Sequence, residues 1–181
     1  ARWLVGAKLN IANSCFRAPA DKPAIVYHAE EGEPRTVSYG ELNALSNRVA
    51  NGLVRARFVA GDAVAIDLPM TVEAVAVYLG IVKAGCVAVS IADSLAADEI
   101  ALRVRLSEAK AVVTQDAVQR GGKRLPLYEK VVAAKGPRAF VIVTGDALEL
   151  RDGDTTWDAL LDDSEQFEAM LCEPHAHTNI L

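Results

Sequence analysis

A short basic segment with two adjacent glycines is the part of the sequence best suited to binding an anion. Residues 119–127 read QRGGKRLPL, in which Arg120 and Lys123 flank the two glycines. Arginine can grip a phosphate with two parallel hydrogen bonds, and lysine can meet it as a point charge. Glycine lets the main chain turn tightly or approach a ligand closely. The segment indicates either a phosphate site or a solvated surface turn, because Gly-Gly is also a common turn dipeptide.

The elements around this segment predict where it lies. Short apolar runs alternate with helical patterns, which places strands at 63–68, 86–91, 111–116 and 139–145, and helices near 38–53, 71–85, 97–110 and 127–134. This alternation with short links is typical of an α/β fold, a doubly wound and mostly parallel sheet flanked by helices. Ligands of such sheets bind at the carboxyl ends of the strands. The basic segment directly follows the strand at 111–116, so we expect it at that edge.

Local signals give the boundaries of the parts. Ser38 and Glu41 have the spacing of a capping box, and Gly85 stands where a helix is expected to end. We divide the chain into an amino-terminal arm with a hairpin strand (1–34), an α/β sheet subdomain (35–145) and a connector that leads into a further strand (146–181). The hairpin is expected to turn at 31–33, and the arm to contain a short amphipathic helix.

Composition excludes several classes of function. The net charge of −5 argues against a nucleic-acid partner, which requires a broad basic face. The longest apolar run, 74–79, is too short to span a bilayer. Three widely spaced cysteines do not form a disulfide framework, which favours a reducing, intracellular compartment. Among them, Cys86 opens an apolar run and is expected in the core.

Five stretches carry a family resemblance when they are taken in order along the chain: WLVGAKLNIANSCF, DKPAIVY, TVSYGELNALSNRVANGL, GDAVAIDLPMTVEAVAVYLGIVKAG and AKAVVTQDAVQRGGKRLPLYEKV. Together they resemble the amino-terminal part of the AMP-forming acyl-CoA synthetases, and most closely the acetyl- and propionyl-CoA synthetase branch. Within it, VSIADS, LRDGDTTWD and TNIL look most like the plant peroxisomal acyl-activating enzymes. The resemblance covers nearly the whole chain, so it is more specific than a single motif.

The resemblance implies a chemistry and a set of ligands. Such enzymes use ATP, a small carboxylic acid and Mg²⁺ to form an acyl-adenylate, and coenzyme A (CoA) then attacks it to give the thioester. By position in the family, Arg120, Gly121, Gly122 and Lys123 contact the 3′-phosphorylated end of CoA. We expect Arg124 to lie in solvent. The compartment implied is the cytoplasm or the peroxisome, with no membrane span.

Two features separate this chain from a complete member of that family. Many relatives have F-A-G-F where this chain has residues 92–95, ADSL, which puts the shape of the channel in doubt; Ser94 is expected to cap the following helix. The chain also stops before the loop that holds the ATP phosphates in the relatives. We therefore expect most of the ATP and Mg²⁺ sites, and the carboxy-terminal remainder of the enzyme, to lie outside it, and the chain alone to be inactive.

Other candidate residues and functions have weaker support. His175 and His177 have strand spacing without a third metal ligand nearby, so a solvated connector is favoured. Asp152 and Asp154 flank a glycine, which favours a turn, and Asp67 is expected to cap a helix. The alternative functions are an adenylation domain that loads a carrier protein and a non-catalytic α/β binding module.

Overall fold

The computed structural model describes residues 4–29, 33–145 and 148–181. The elements in these ranges are, in chain order, α1 (Ala12–Cys15), β1 (Pro23–Tyr27), β2 (Arg35–Ser38), α2 (Tyr39–Arg55), β3 (Ala63–Asp67), α3 (Val72–Lys83), β4 (Val87–Ile91), α4 (Ala97–Ser107), β5 (Ala111–Gln115), β6 (Val118–Arg120), β7 (Lys123–Leu125), α5 (Leu127–Ala133), β8 (Arg138–Ile142), β9 (Thr155–Thr156), α6 (Trp157–Leu160) and β10 (Asn179–Ile180).

The central sheet has six strands in the order β10-β4-β3-β5-β8-β9, and every neighbouring pair is parallel. Its central part begins at β3, adds β4 on one side, and then returns to add β5 and β8 on the other side. Such an order creates a switch point between β3 and β5, where their carboxyl ends diverge into loops that run in opposite directions. The predicted α/β fold with a doubly wound, mostly parallel sheet is confirmed.

Two helical layers cover the sheet, as the alternation along β3 illustrates. Val64 and Ile66 pack into the core on the side of α2 and α3. Ala63 and Ala65 pack into the core on the side of α4 and α5. Successive side chains of a strand point to opposite faces, so Asp67 faces the α4 and α5 layer.

The capping box that the sequence predicts is present at the start of α2. The Ser38 hydroxyl accepts a hydrogen bond from the Glu41 amide at 3.2 Å, and the Glu41 carboxylate accepts one from the Ser38 amide at 2.7 Å. Gly85 follows α3 with a φ of +72°, the left-handed conformation expected there. The predicted hairpin of β1 and β2 also forms, although most of its tip lies outside the described residues.

The amino-terminal arm and the carboxy-terminal segment pack against each other and against α3. Leu9 and Cys172 exchange backbone hydrogen bonds of 3.0 and 2.9 Å. The Asn10 amide donates to the carbonyls of Val82 and Met170, at 2.7 and 2.9 Å. Residues 148–181 also supply both edge strands of the sheet, β9 and β10.

Across the described residues, none of the helices combines the length and the apolar character that crossing a bilayer requires.

Candidate anion-binding site

The basic segment forms a two-stranded antiparallel ribbon, the 118–125 hairpin, rather than a simple turn. Gly121 and Gly122 are its central residues, with φ values of +57° and +71°. Positive φ at both central positions defines the type I′ turn that suits two-residue hairpins. Among the described residues, no atom lies within 4 Å of a Cβ placed at either glycine. Backbone conformation, and not crowding, is therefore the reason for glycine at both positions.

The hairpin brings two cations together. Arg120 and Lys123 lie directly opposite each other in its register, so their side chains share one face, and Arg124 belongs to the other face. All three side chains are exposed. Two like charges at directly opposed positions destabilise a ribbon unless an anion lies near them. The arrangement thus favours an anion on the face of Arg120 and Lys123.

A carboxylate of the chain itself contacts this face. Nη1 and Nη2 of Arg120 donate to the two carboxylate oxygens of Asp93 at 3.2 and 2.6 Å, a fork-to-fork ion pair. Asp93 lies in the loop after β4, whereas the hairpin follows β5. The pair therefore connects two loops across the end of β3, the strand that lies between β4 and β5.

Lys130 of α5 also contacts the loop after β4, which contains Asp93. Its ammonium donates to the backbone carbonyls of Asp93 and Leu95, the latter at 3.0 Å. These contacts hold the backbone next to the Asp93 carboxylate in place, independently of the hairpin. Asp93 and Lys130 are the two site residues that sequence reasoning missed, because only the strand order places them beside Arg120.

Asp67, at the carboxyl end of β3, is buried below this loop. Its side chain is fully buried, and neither its carboxylate oxygens nor the Thr114 hydroxyl has a hydrogen-bond partner among the described residues. Burial raises the pKa of Asp67 to about 6. The positive charge of Lys130 and the Thr114 side chain oppose this rise, whereas the negative charge of Asp93 reinforces it. The expectation that Asp67 caps a helix is wrong, because the hydroxyl of Thr71 caps α3 through the Ala74 amide at 3.3 Å.

Asp116 joins the loops after β5 and β8. Its carboxylate accepts hydrogen bonds from the Thr144 hydroxyl at 2.7 Å and the Gly145 amide at 3.1 Å. Burial raises the pKa of Asp116, but these hydrogen bonds and one from the Ala117 amide have the larger effect. Together they hold the pKa of Asp116 below its ordinary value. Asp116 is therefore an ionised residue that stabilises the loops at the edge of the sheet.

An open cleft of about 1180 Å³ lies beside these loops. Its lining comes from the end of β1, from the loops after β3, β5 and β8, and from the hairpin, and includes Tyr27, Met70, Asp116, Arg120, Arg124 and Thr144. It occupies the switch point between β3 and β5, where doubly wound sheets bind ligands. Binding sites for small molecules and cofactors commonly measure roughly 300–1,000 Å³, so the cleft is large enough for a nucleotide-sized ligand.

Several other residues that the sequence singles out have structural roles. Cys86 is buried, and burial raises the pKa of its thiol to about 12, so it is the core residue that the sequence predicts and not a nucleophile. Asp154 accepts hydrogen bonds from the Ala139 amide and the Tyr128 hydroxyl, at 2.7 and 2.8 Å. Arg151 completes this network at 3.0 Å. Asp154 follows the turn that is expected at Gly153, whose φ is +87°.

The remaining candidates are His175, Ser94 and Arg124, the last of which lines the cleft. His175 lies in a turn and not in a strand, and no group of three or more histidine, cysteine or acidic side chains suited to a metal occurs in the described ranges. Ser94 does not cap α4, whose N-cap position is Ala96. Arg124 is exposed, as expected, and lies 3.9 Å from Glu129, which is also exposed. A pair of this kind contributes little to stability.

Comparison with known proteins identifies the family. The AMP-binding enzyme family matches residues 11–178. The chain is 42% identical over 198 residues to hexanoyl-CoA synthase from Cannabis sativa, covering 100% of this chain and 27% of that protein. It is also 42% identical over 167 residues to the probable peroxisomal acyl-activating enzyme 18 of Arabidopsis thaliana, covering 86% of this chain and 23% of that protein.

A solved structure supports the same conclusion. Acetoacetyl-CoA synthetase from Streptomyces lividans superposes with a TM-score of 0.87 at 27% identity, covering 96% of this chain and 28% of that chain. The chain thus spans about a quarter of the length of the curated relatives it matches. The resemblance seen in the sequence is confirmed, and the chain belongs to the AMP-binding enzyme family.

Proposed function

We propose that this chain is the amino-terminal part of an ATP-dependent, AMP-forming acyl-CoA ligase. Such an enzyme joins a small carboxylic acid to ATP, releases pyrophosphate, and transfers the acyl group from the adenylate to the thiol of CoA. The observation that carries the proposal is the family match over residues 11–178, together with relatives that are named as acyl-CoA synthase and acyl-activating enzyme.

Within that enzyme, we assign the 118–125 hairpin to CoA. Arg120 and Lys123 provide cations on one face of the ribbon, and the positive φ of Gly121 and Gly122 forms the tight turn between them. This combination fits the 3′-phosphate of CoA, because a guanidinium fork and a point charge both suit a phosphate. A carrier protein presents its thiol without a 3′-phosphate, so the hairpin favours a ligase that uses free CoA.

The other ligands of the reaction belong mainly to parts of the enzyme outside this chain. ATP supplies the adenylate, and Mg²⁺ accompanies its phosphates. We infer that their sites are completed by the carboxy-terminal remainder of the enzyme, in line with the quarter of the relatives' length that this chain spans. The proposed compartment is intracellular, either cytoplasmic or peroxisomal, since the Arabidopsis relative is named as peroxisomal.

The reaction can be tested with the full-length enzyme and a panel of small carboxylic acids. We expect carboxylate-dependent exchange of pyrophosphate into ATP, and release of AMP as a CoA thioester forms. Transfer of the acyl group to a carrier protein but not to CoA is the result expected of the alternative adenylation domain. Absence of exchange with every acid, despite ATP binding, is the result expected of a non-catalytic module.

Arg120→Ala tests the assignment of the hairpin. We expect it to weaken the binding of CoA by about 5- to 30-fold, equivalent to about 1–2 kcal/mol for a charge-assisted contact that is half exposed to water. Binding of 3′-dephosphorylated CoA should change little, because that ligand lacks the phosphate. Isothermal titration of both ligands measures the two effects separately.

Arg105→Ala is the matched control, since Arg105 is an exposed cation in the last turn of α4. It removes the same charge from the protein without touching the hairpin and should alter neither affinity. Equal weakening of both ligands by Arg120→Ala contradicts a contact with the 3′-phosphate.

A further inference from the structure

The ion pair between Asp93 and Arg120 occupies the donors that a phosphate requires. The guanidinium turns its Nη1 and Nη2 edge to the carboxylate, at 3.2 and 2.6 Å. This geometry is the one by which arginine also binds a phosphate in a bidentate manner. The Asp93 side chain is 12% exposed and that of Arg120 is 48% exposed, so the arginine can be reached by a ligand, whereas the carboxylate is largely covered.

The carboxylate is held in place from its own side of the site. Lys130 of α5 donates to the carbonyls of Asp93 and Leu95, and thereby fixes the loop after β4. The hairpin after β5 is a short two-stranded ribbon that extends from the sheet. Asp93 is therefore the anchored partner of the pair, and Arg120, on its exposed ribbon, is the partner that a ligand can reach.

The charges on the hairpin explain why a carboxylate is present. Arg120 and Lys123 are directly opposed, which is unfavourable without an anion nearby. Asp93 provides that negative charge within the chain itself. An incoming phosphate must then either displace the carboxylate or lie close to it, and two anions that share one guanidinium repel each other.

We propose that Asp93 is an intramolecular competitor for the anion at Arg120 and so determines how strongly the hairpin holds the phosphate of its ligand. The carboxylate stabilises the hairpin in the absence of ligand and disfavours weakly charged groups, which gain too little from the guanidinium to displace it. This inference rests on the proposed function, because it takes the 3′-phosphate of CoA as the ligand group.

Asp93→Asn in the full-length enzyme tests the proposal. Asparagine keeps the shape of the side chain and one acceptor oxygen, and removes the negative charge. We expect the dissociation constant of CoA to fall by about tenfold, since the carboxylate no longer competes with the phosphate for the Arg120 guanidinium. The dissociation constant of 3′-dephosphorylated CoA should stay nearly constant, so the preference for CoA over its 3′-dephosphorylated form rises about tenfold.

Three further variants separate this effect from structural damage. Asp98→Asn removes an exposed acid from the first turn of α4, a few residues away, and should leave the preference unchanged. Asp93→Glu keeps the charge and should preserve the wild-type preference. In an Arg120→Ala background, Asp93→Asn should have a much smaller effect, because the carboxylate acts through the guanidinium. Asp93→Ser replaces Asp93→Asn if the latter does not fold.

The outcomes distinguish this inference from the proposed function. If the wild-type enzyme binds both forms of CoA equally, the assignment of the hairpin to the 3′-phosphate fails. If the wild-type enzyme prefers CoA and Arg120→Ala removes the preference, that assignment holds. In the second case, a preference that stays constant or falls in Asp93→Asn overturns the role of Asp93 as a competitor and makes it a residue that positions Arg120.

Discussion

Gly80→Ala is expected to destabilise the chain by about 2–3 kcal/mol, although alanine is the better helix former. A Cβ at this position of α3 comes within 2.6 Å of two side-chain carbons of Val49 and 2.9 Å of the Ser46 carbonyl oxygen, both on α2. Val49 is fully buried, so the two helices have no space into which they can move without disturbing the core. In an open helix the same substitution stabilises by about 0.5–1 kcal/mol, so the expected sign is reversed.

Urea unfolding of the single and double variants measures this effect. Val49→Ala alone should destabilise by about 1–3 kcal/mol, because it leaves a cavity. The double variant should lose clearly less unfolding free energy than the sum of the two single losses, since the new methyl group at position 80 fills part of the cavity left by Val49→Ala. An increase in stability for Gly80→Ala alone shows that α2 and α3 are not in contact at this position.

Asp67→Asn is expected to remove a pH dependence of stability between about pH 4 and pH 6. Burial raises the pKa of Asp67 from 3.8 to about 6. The folded state therefore binds the proton more tightly than the unfolded state. The stabilising contribution of the protonated carboxyl is complete below the unfolded pKa and is lost as the pH rises through the folded pKa, which amounts to about 2–3 kcal/mol.

The measurement is the difference in unfolding free energy between the wild type and Asp67→Asn across this pH range. The unfolding free energy of the variant should rise relative to that of the wild type by about 2–3 kcal/mol as the pH rises from about 4 to 6. Above about pH 7 the difference should be constant. Asp98→Asn, which replaces an exposed acid, provides the control for removal of a negative charge. A difference that does not vary with pH contradicts a buried, unpartnered Asp67 carboxyl.

Local sequence signals predict most elements because their causes are local. The capping box of Ser38 and Glu41 needs only one helical turn, and the apolar runs at β3, β4 and β5 reflect strands that are covered on both faces. The glycine pair likewise predicts a bend, since positive φ is a property of the residue itself. The division of the chain into three parts remains a prediction.

Predictions that depend on a neighbour distant in sequence are less accurate. The sequence favours a helix cap for Asp67, because an acid before a helix usually caps it, but its position in the alternation of β3 turns it under the α4 and α5 layer. Ser94 is expected to be a cap for a similar reason and does not have that role. In both cases the local preference is reasonable, and the packing of the sheet decides otherwise.

For the candidate site, too, some features follow from local sequence and others from contacts between distant residues. By itself, the sequence determined the basic segment, the bend at its glycines, its position after a central strand and the family, because residue type and order carry that information. Only the tertiary structure decided that Arg120 is paired with Asp93 and that Lys130 anchors the opposing loop. Asp93 follows β4, whereas Arg120 and Lys130 both follow β5, and they meet because β4 and β5 flank β3 in the sheet. The partner of a charge is thus set by strand order, which no local pattern encodes.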